Sequence, residues 1–168
     1  MKGITLIGMP GSGKSTIGKK LAERLKFRFV DLDELIKEKI GRSHAEILEK
    51  DGRDALINLE NQLTLELNFE NTIFSPGGSI IYSLVAMEKL RAETTVIYLE
   101  LPLQEIQKRL GKNPNSRGIV GLQENGLDNL YRERTPLYQK FALHTVSCFN
   151  TSDQQIIESI LVFLRTLE

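Results

Sequence analysis

The segment Gly8-Met9-Pro10-Gly11-Ser12-Gly13-Lys14-Ser15 constrains this chain more than any other. It has the form G-x-x-x-x-G-K-S/T. The apolar run Ile4–Ile7 comes directly before it, and Ile17, Leu21 and Leu25 recur every four residues after it. A strand, a glycine-rich turn and a helix in that order make a phosphate-binding loop. Its glycines let the backbone curl until several N–H groups face one point, and the helix N-terminus adds partial positive charge there. Gly11, Ser12, Gly13, Lys14, Ser15 and Thr16 are therefore expected around a nucleotide. Lys14 should reach the β- and γ-phosphates, and the Ser15 hydroxyl should face Mg²⁺. An incidental lysine in a glycine-rich turn would not account for the strand and helix on either side.

The rest of the chain repeats that alternation. Phe27–Val30, Thr72–Ser75, Thr95–Leu99 and Thr145–Phe149 read as further strands. Between them, periodic segments predict helices over Glu34–Ile40, from the capping-box pair Ser43 and Glu46, along the stripe Leu56, Leu59, Leu63 and Leu67, and over Leu84–Arg91, Leu103–Leu110, Leu127–Lys140 and Gln154–Leu167. The expected fold class is α/β: a three-layer P-loop fold with a five-stranded parallel sheet and helices on both faces. Residues 111–126, rich in Gly and Asn and containing Pro114, are long enough for a functional loop rather than a simple connector. The 168 residues suit a single domain over 1–168.

Lys+Arg and Asp+Glu both number 22, so the chain lacks the basic excess of a general nucleic-acid or membrane-surface binder. The apolar stretch after Lys2 is broken by Gly8, Pro10, Gly11 and Gly13, unlike a signal peptide, and no apolar run approaches the about 18 residues of a membrane span. The single cysteine, Cys148, excludes a disulfide within the chain and is expected in the core. A cytoplasmic monomer acting on a small molecule is the expectation.

Kinases, GTPases and motor ATPases all share the loop. The N-K-x-D element of guanine-specific GTPases is absent, and the chain is short for a ring-forming ATPase. Asp31 and Asp33 end the second predicted strand, at the sheet edge where parallel α/β proteins bind ligands. Strand alternation predicts both carboxylates on one side. One can then hold Mg²⁺ while the other takes the proton of an acceptor hydroxyl. The alternative for Asp33 is a helix cap.

With Gly8–Thr16, Asp31-Leu32-Asp33, Gly41-Arg42-Ser43 with Glu46, Asp51-Gly52, Glu60, Pro76-Gly77-Gly78, Arg109, Arg117 and Arg134-Thr135-Pro136-Leu137-Tyr138, the sequence resembles shikimate kinase over nearly its whole length. The resemblance implies ATP and Mg²⁺ as cofactors, transfer of the γ-phosphate to shikimate in aromatic amino-acid biosynthesis, an acceptor-binding region at about 33–60, and a lid over ATP at about 111–126. It implies that Asp31 joins Ser15 in the metal shell and that Asp33 holds the acceptor hydroxyls as the base. Gly77 and Gly78 would offer backbone contacts to the acceptor, and Arg134 would bind its carboxylate. Arg117 is implied on the transferring phosphate, Arg109 against the adenine and Asn150 near the base. Lys14, Asp33 and Arg117 form the expected catalytic set.

Three positions depart from the family's pattern. Ile57 stands where an F-R-x-x-E arginine would make a second carboxylate clamp, Ser79 replaces a third glycine, and Arg117-Gly118-Ile119 lacks the proline usual after the lid arginine. Arg53, one turn before Ile57, is a candidate substitute clamp. These departures keep two alternatives open: a kinase for another small polyol or hydroxy acid, and a nucleotide-binding regulatory homologue without turnover. His44 and His144 lack Cys or Glu at metal-ligand spacing and are read as structural.

Overall fold

The computed structural model describes residues 2–111 and 118–167. Five strands, β1 (Gly3–Ile7), β2 (Arg28–Asp31), β3 (Thr72–Ser75), β4 (Thr94–Glu100) and β5 (His144–Ser147), pair in the order β2-β3-β1-β4-β5. Every pairing is parallel; Ile4 of β1 lies between Ile73 of β3 and Thr95 of β4. Successive residues of a strand point to opposite faces, yet β1 and β3 are buried throughout and β4 is buried from Thr94 to Leu99. Both faces of the sheet are therefore covered, which is why these strands read as unbroken apolar runs rather than alternating ones.

The cover comes from helices α1 (Lys14–Leu25), α2 (Leu32–Ile40), α3 (His44–Asp51), α4 (Arg53–Glu66), α5 (Leu84–Glu93), α6 (Leu103–Leu110), α7 (Leu122–Phe141) and α8 (Asp153–Arg165). Ile17 and Leu21 of α1, Leu56 and Leu63 of α4, Met87 and Leu90 of α5, and Ile156 and Ile160 of α8 all enter one core. Cys148 lies there too, just past β5, and burial pushes its thiol up to about 11. An elevated thiol is a poor nucleophile, consistent with packing.

Local signals set the helix ends. Ser43 and Glu46 form the expected capping box of α3, and Gly41 closes α2 in the left-handed region at φ 73°. The strand order turns about β1, so the chain leaves the C-terminal ends of β1, β2 and β3 around one crevice, the usual ligand site of such sheets. The expected loop at 111–126 is shortened by packing. Ile119, Val120 and Leu122 are buried, and α7 begins at Leu122 with a kink at Gly126 (φ 71°, ψ 163°). The apolar cluster Ile119-Val120-Gly121-Leu122 finds core contacts that local composition did not reveal.

Candidate active site

The loop from Gly8 to Gly13 wraps tightly around its own lysine. Lys14 Nζ donates to the carbonyls of Gly8 (2.9 Å) and Met9 (3.1 Å), and the Ser12 amide donates to Met9 O (3.1 Å). Burial lowers the Lys14 pKa to about 8, with Asp33 and Asp31 opposing the shift. A buried ammonium whose hydrogen bonds among the described residues go to two neutral carbonyls stands to gain from an arriving polyanion. The Ser12 hydroxyl, 2% exposed, has no hydrogen-bond partner among the described residues.

Ser15 Oγ donates to Asp31 Oδ2 at 2.5 Å. Asp31 Oδ1 accepts from the amides of Asp33 (3.0 Å) and Glu34 (3.4 Å), which makes Asp31 the N-cap of α2. The capping role considered for Asp33 thus falls to Asp31. Asp33 also lies not in β2 but in the first turn of α2, so a cap and a helical turn, not strand alternation, bring both carboxylates to the crevice. A hydroxyl and one carboxylate beside a phosphate cradle fit Mg²⁺, which keeps several waters and phosphate oxygens as ligands. Among the described residues no cluster of three or more His, Cys, Asp or Glu offers an all-protein metal cage.

A cavity of about 470 Å³ joins this cradle to a second set of groups. Gly11, Gly13, Lys14, Ser15, Thr16, Asp31 and Arg109 line the phosphate side. Asp33, His44, Glu60, Gly77, Gly78 and Arg134 line the other. Asp33 keeps 57% of its side chain exposed, but its place in the concave wall removes bulk water and raises its carboxyl above the ordinary value, against the opposing pull of His44. Glu60 is 1% exposed, and burial raises its carboxyl as well; its Oε2 accepts from Ser79 Oγ at 2.6 Å.

Arg134, 1% exposed, is held by Val120 O (2.6 Å, from Nη2) and the Tyr82 hydroxyl (3.2 Å, from Nε). Tyr138 donates to Gly78 O at 2.7 Å. A methyl at Gly77 would stand 2.5 Å from Glu60 Oε1, and one at Gly78 would stand 2.9 Å from Arg134 Nη1. Glycine is needed here for close approach of side chains to backbone, and Ser79 satisfies Glu60 at the third position.

Other expected residues fall differently. Arg109 Nη1 donates to Gly11 O (3.2 Å), which lays it across the phosphate loop. Arg53 does not line the cavity; its guanidinium lies over the Tyr82 ring at 5.5 Å, with Arg134 over the same ring at 5.3 Å. Asn150 is exposed at φ 54° in the turn after β5 and does not line the cavity either. Arg117 lies outside the described residues. His144 stacks on Phe163 at 4.1 Å, as a structural histidine should. His44, read the same way, instead enters the cavity beside Asp33 and Glu60. No motif spacing marks it, because it meets its partners only when α2, α3 and α4 are packed.

A sequence model described as shikimate kinase matches residues 10–165. The chain is 34% identical to a shikimate kinase of Enterococcus faecalis over 167 residues, covering 98% of this chain and 99% of that protein. It belongs to the shikimate kinase family. A second family member, from a Sulfurihydrogenibium species, is 34% identical over 98% of this chain and 99% of its own length. The solved shikimate kinase from Acinetobacter baumannii in complex with shikimate superposes with a TM-score of 0.87 at 28% identity, over 100% of this chain and 95% of that one. Within a shikimate kinase, the cradle and the Asp33–Arg134 wall are the expected halves of one site.

Proposed function

We propose that this chain transfers the γ-phosphate of ATP to a hydroxyl of shikimate, giving shikimate 3-phosphate and ADP, as a step of aromatic amino-acid biosynthesis. The observation that carries the reading is that Lys14, Asp33 and Arg134 line one cavity. A triphosphate cradle, a proton acceptor and a carboxylate-binding guanidinium thus share one crevice.

The loop amides and Lys14 hold the phosphates and place the γ-phosphorus. Arg134 pairs with the acceptor carboxylate, for which its planar fork is suited. Asp33 receives the hydroxyl proton as the new O–P bond forms and the bond to the ADP oxygen breaks; its raised pKa makes it a better base for that task. Ser15 and Asp31 would hold Mg²⁺, which supplies charge neutralisation at the phosphates when bound. Arg117 is assigned to the transferring phosphate, Arg109 and Asn150 to the nucleotide, and the segment 111–126, shortened where α7 begins at Leu122, to a lid that excludes water. We read the chain as one cytoplasmic domain, monomeric, with no nucleic-acid or membrane partner; among the described residues no helix is long and apolar enough to cross a membrane.

The neutral Ile57 on α4 favours one second reading, a kinase for a different small polyol or hydroxy acid. The test is ADP release with ATP, Mg²⁺ and a panel of acceptors. Shikimate is expected to be turned over best, with phosphate on its 3-hydroxyl. Bound ATP with no turnover of shikimate would reject the assignment.

A further inference from the structure

We propose that His44 is a positioning residue for the acceptor: its ring bridges Asp33 and Glu60, and in protonated form it supplies the cation that lets an anionic acceptor enter between them. This rests on the reading of the cavity as a kinase site for a carboxylate-bearing acceptor. His44 is 8% exposed at the first turn of α3. Its Nδ1 is 3.5 Å from Asp33 Oδ1 on α2 and 3.9 Å from Glu60 Oε1 on α4. Three helices thus meet through one imidazole. Glu60 Oε1 and His44 Nε2 are both buried with no hydrogen-bond partner among the described residues. The cluster therefore keeps donor and acceptor capacity that the fold itself does not use.

Charge decides what that capacity is for. On the acceptor side of the cavity, Asp33 and Glu60 are carboxylates and Arg134 on α7 is the cation among the described lining residues. Lys14 of α1 is occupied with the phosphate loop. On α4, position 57 offers an isoleucine and Arg53 is spent on Tyr82. With a neutral ring at position 44, two carboxylates would face an incoming carboxylate against one guanidinium. With a protonated ring, the wall is balanced and Arg134 is free to bind the acceptor. The ring, 3.5 Å from Asp33 Oδ1, also limits how that carboxyl can turn relative to the acceptor hydroxyl.

The experiment measures equilibrium binding and KM of shikimate and of its uncharged methyl ester, with ATP as a control, for wild type, His44→Gln and His44→Gln/Ile57→Arg. Measurements run from about pH 5 to about pH 8, with thermal melts to verify folding. His44→Gln is expected to weaken shikimate about tenfold or more at low pH and to leave ATP within about twofold. The gap should narrow as pH rises, because the contribution tested is that of a charged ring and the variant carries none. Lys14 is common to all three proteins, so its titration cancels in the comparison. The methyl ester should show little dependence on either pH or residue 44, and Ile57→Arg should restore shikimate binding to His44→Gln. If His44→Gln binds shikimate like wild type, or weakens shikimate and ester equally at every pH, the proposal is overturned. Should the variant fail to fold, a wild-type affinity for shikimate as insensitive to pH as that for the ester overturns it equally. Wild type that binds ATP but neither binds nor turns over shikimate would reject the acceptor assignment itself, and this proposal with it.

Discussion

Gly78 offers a sharp test of the acceptor wall because its backbone is not in the left-handed region, so an alanine there adds only a methyl group. That methyl would lie 2.9 Å from Arg134 Nη1, 3.1 Å from Pro10 Cδ and 3.1 Å from the Tyr138 hydroxyl. Comfortable separations are about 3.5–4.0 Å, so Arg134 must give by roughly half an ångström or more and Pro10 and Tyr138 by a few tenths. Arg134 is a long side chain, but it is 1% exposed and tied to Val120 O and to the Tyr82 hydroxyl. It therefore moves only by weakening those bonds or by leaving the acceptor position. Overpacking of this kind costs about 1–3 kcal/mol, which lowers Tm by about 2–12 °C in a domain of this size. Misplacing the guanidinium forfeits a charge-assisted hydrogen bond of about 1.5–3 kcal/mol, which raises KM for the acceptor about 10- to 150-fold. The KM for ATP should stay within about twofold, because the phosphate loop touches the methyl only through Pro10. Steady-state kinetics on both substrates with a thermal melt would measure this. A Gly78→Ala enzyme with wild-type acceptor KM and wild-type Tm would refute both the crowding and the role given to Arg134.

Because Lys14 is held near pKa 8 by burial, ATP should raise it by surrounding the ammonium with phosphate oxygens. Binding then takes up a proton, about half a proton per ATP at pH 8, and ATP affinity falls as pH rises through that value. Calorimetric heats at pH 8 that do not depend on the buffer's ionisation enthalpy would contradict this. Lys14→Ala is expected to abolish turnover, and a folded variant with near-normal rates would sink the phosphate-loop assignment. Gly118 sits at φ 63°, and a Cβ there would be 2.4 Å from Ala45 N, so Gly118→Ala should pry the chain from the start of α3, lower Tm and weaken the acceptor; an unchanged melt would count against that contact. Arg117→Ala should lower kcat about 100-fold while changing ATP affinity little, and single-turnover rates equal to wild type would remove Arg117 from the transferring phosphate.

Much of this protein is legible in the linear chain because its signals are local. The phosphate loop is eight consecutive residues whose glycines and lysine act through backbone they themselves shape. Thr72–Ser75 and Leu103–Leu110 have the bounds their patterns predict, and the Ser43–Glu46 box caps its own helix. Fully buried strands announce a covered parallel sheet before any contact is known. What needed the tertiary structure are relations between elements distant in sequence. Asp31 rather than Asp33 became the cap because β2 runs one residue further than its apolar pattern, ending on the aspartate. Ile119, Val120 and Leu122 left the loop for the core because other elements supplied a place to bury them. His44 looked like an ordinary structural histidine and became part of the cavity wall because α2 and α4 deliver carboxylates to it from 11 residues before and 16 residues after. An imidazole carries no local pattern; its role is set by the charges that packing places within 4 Å of it.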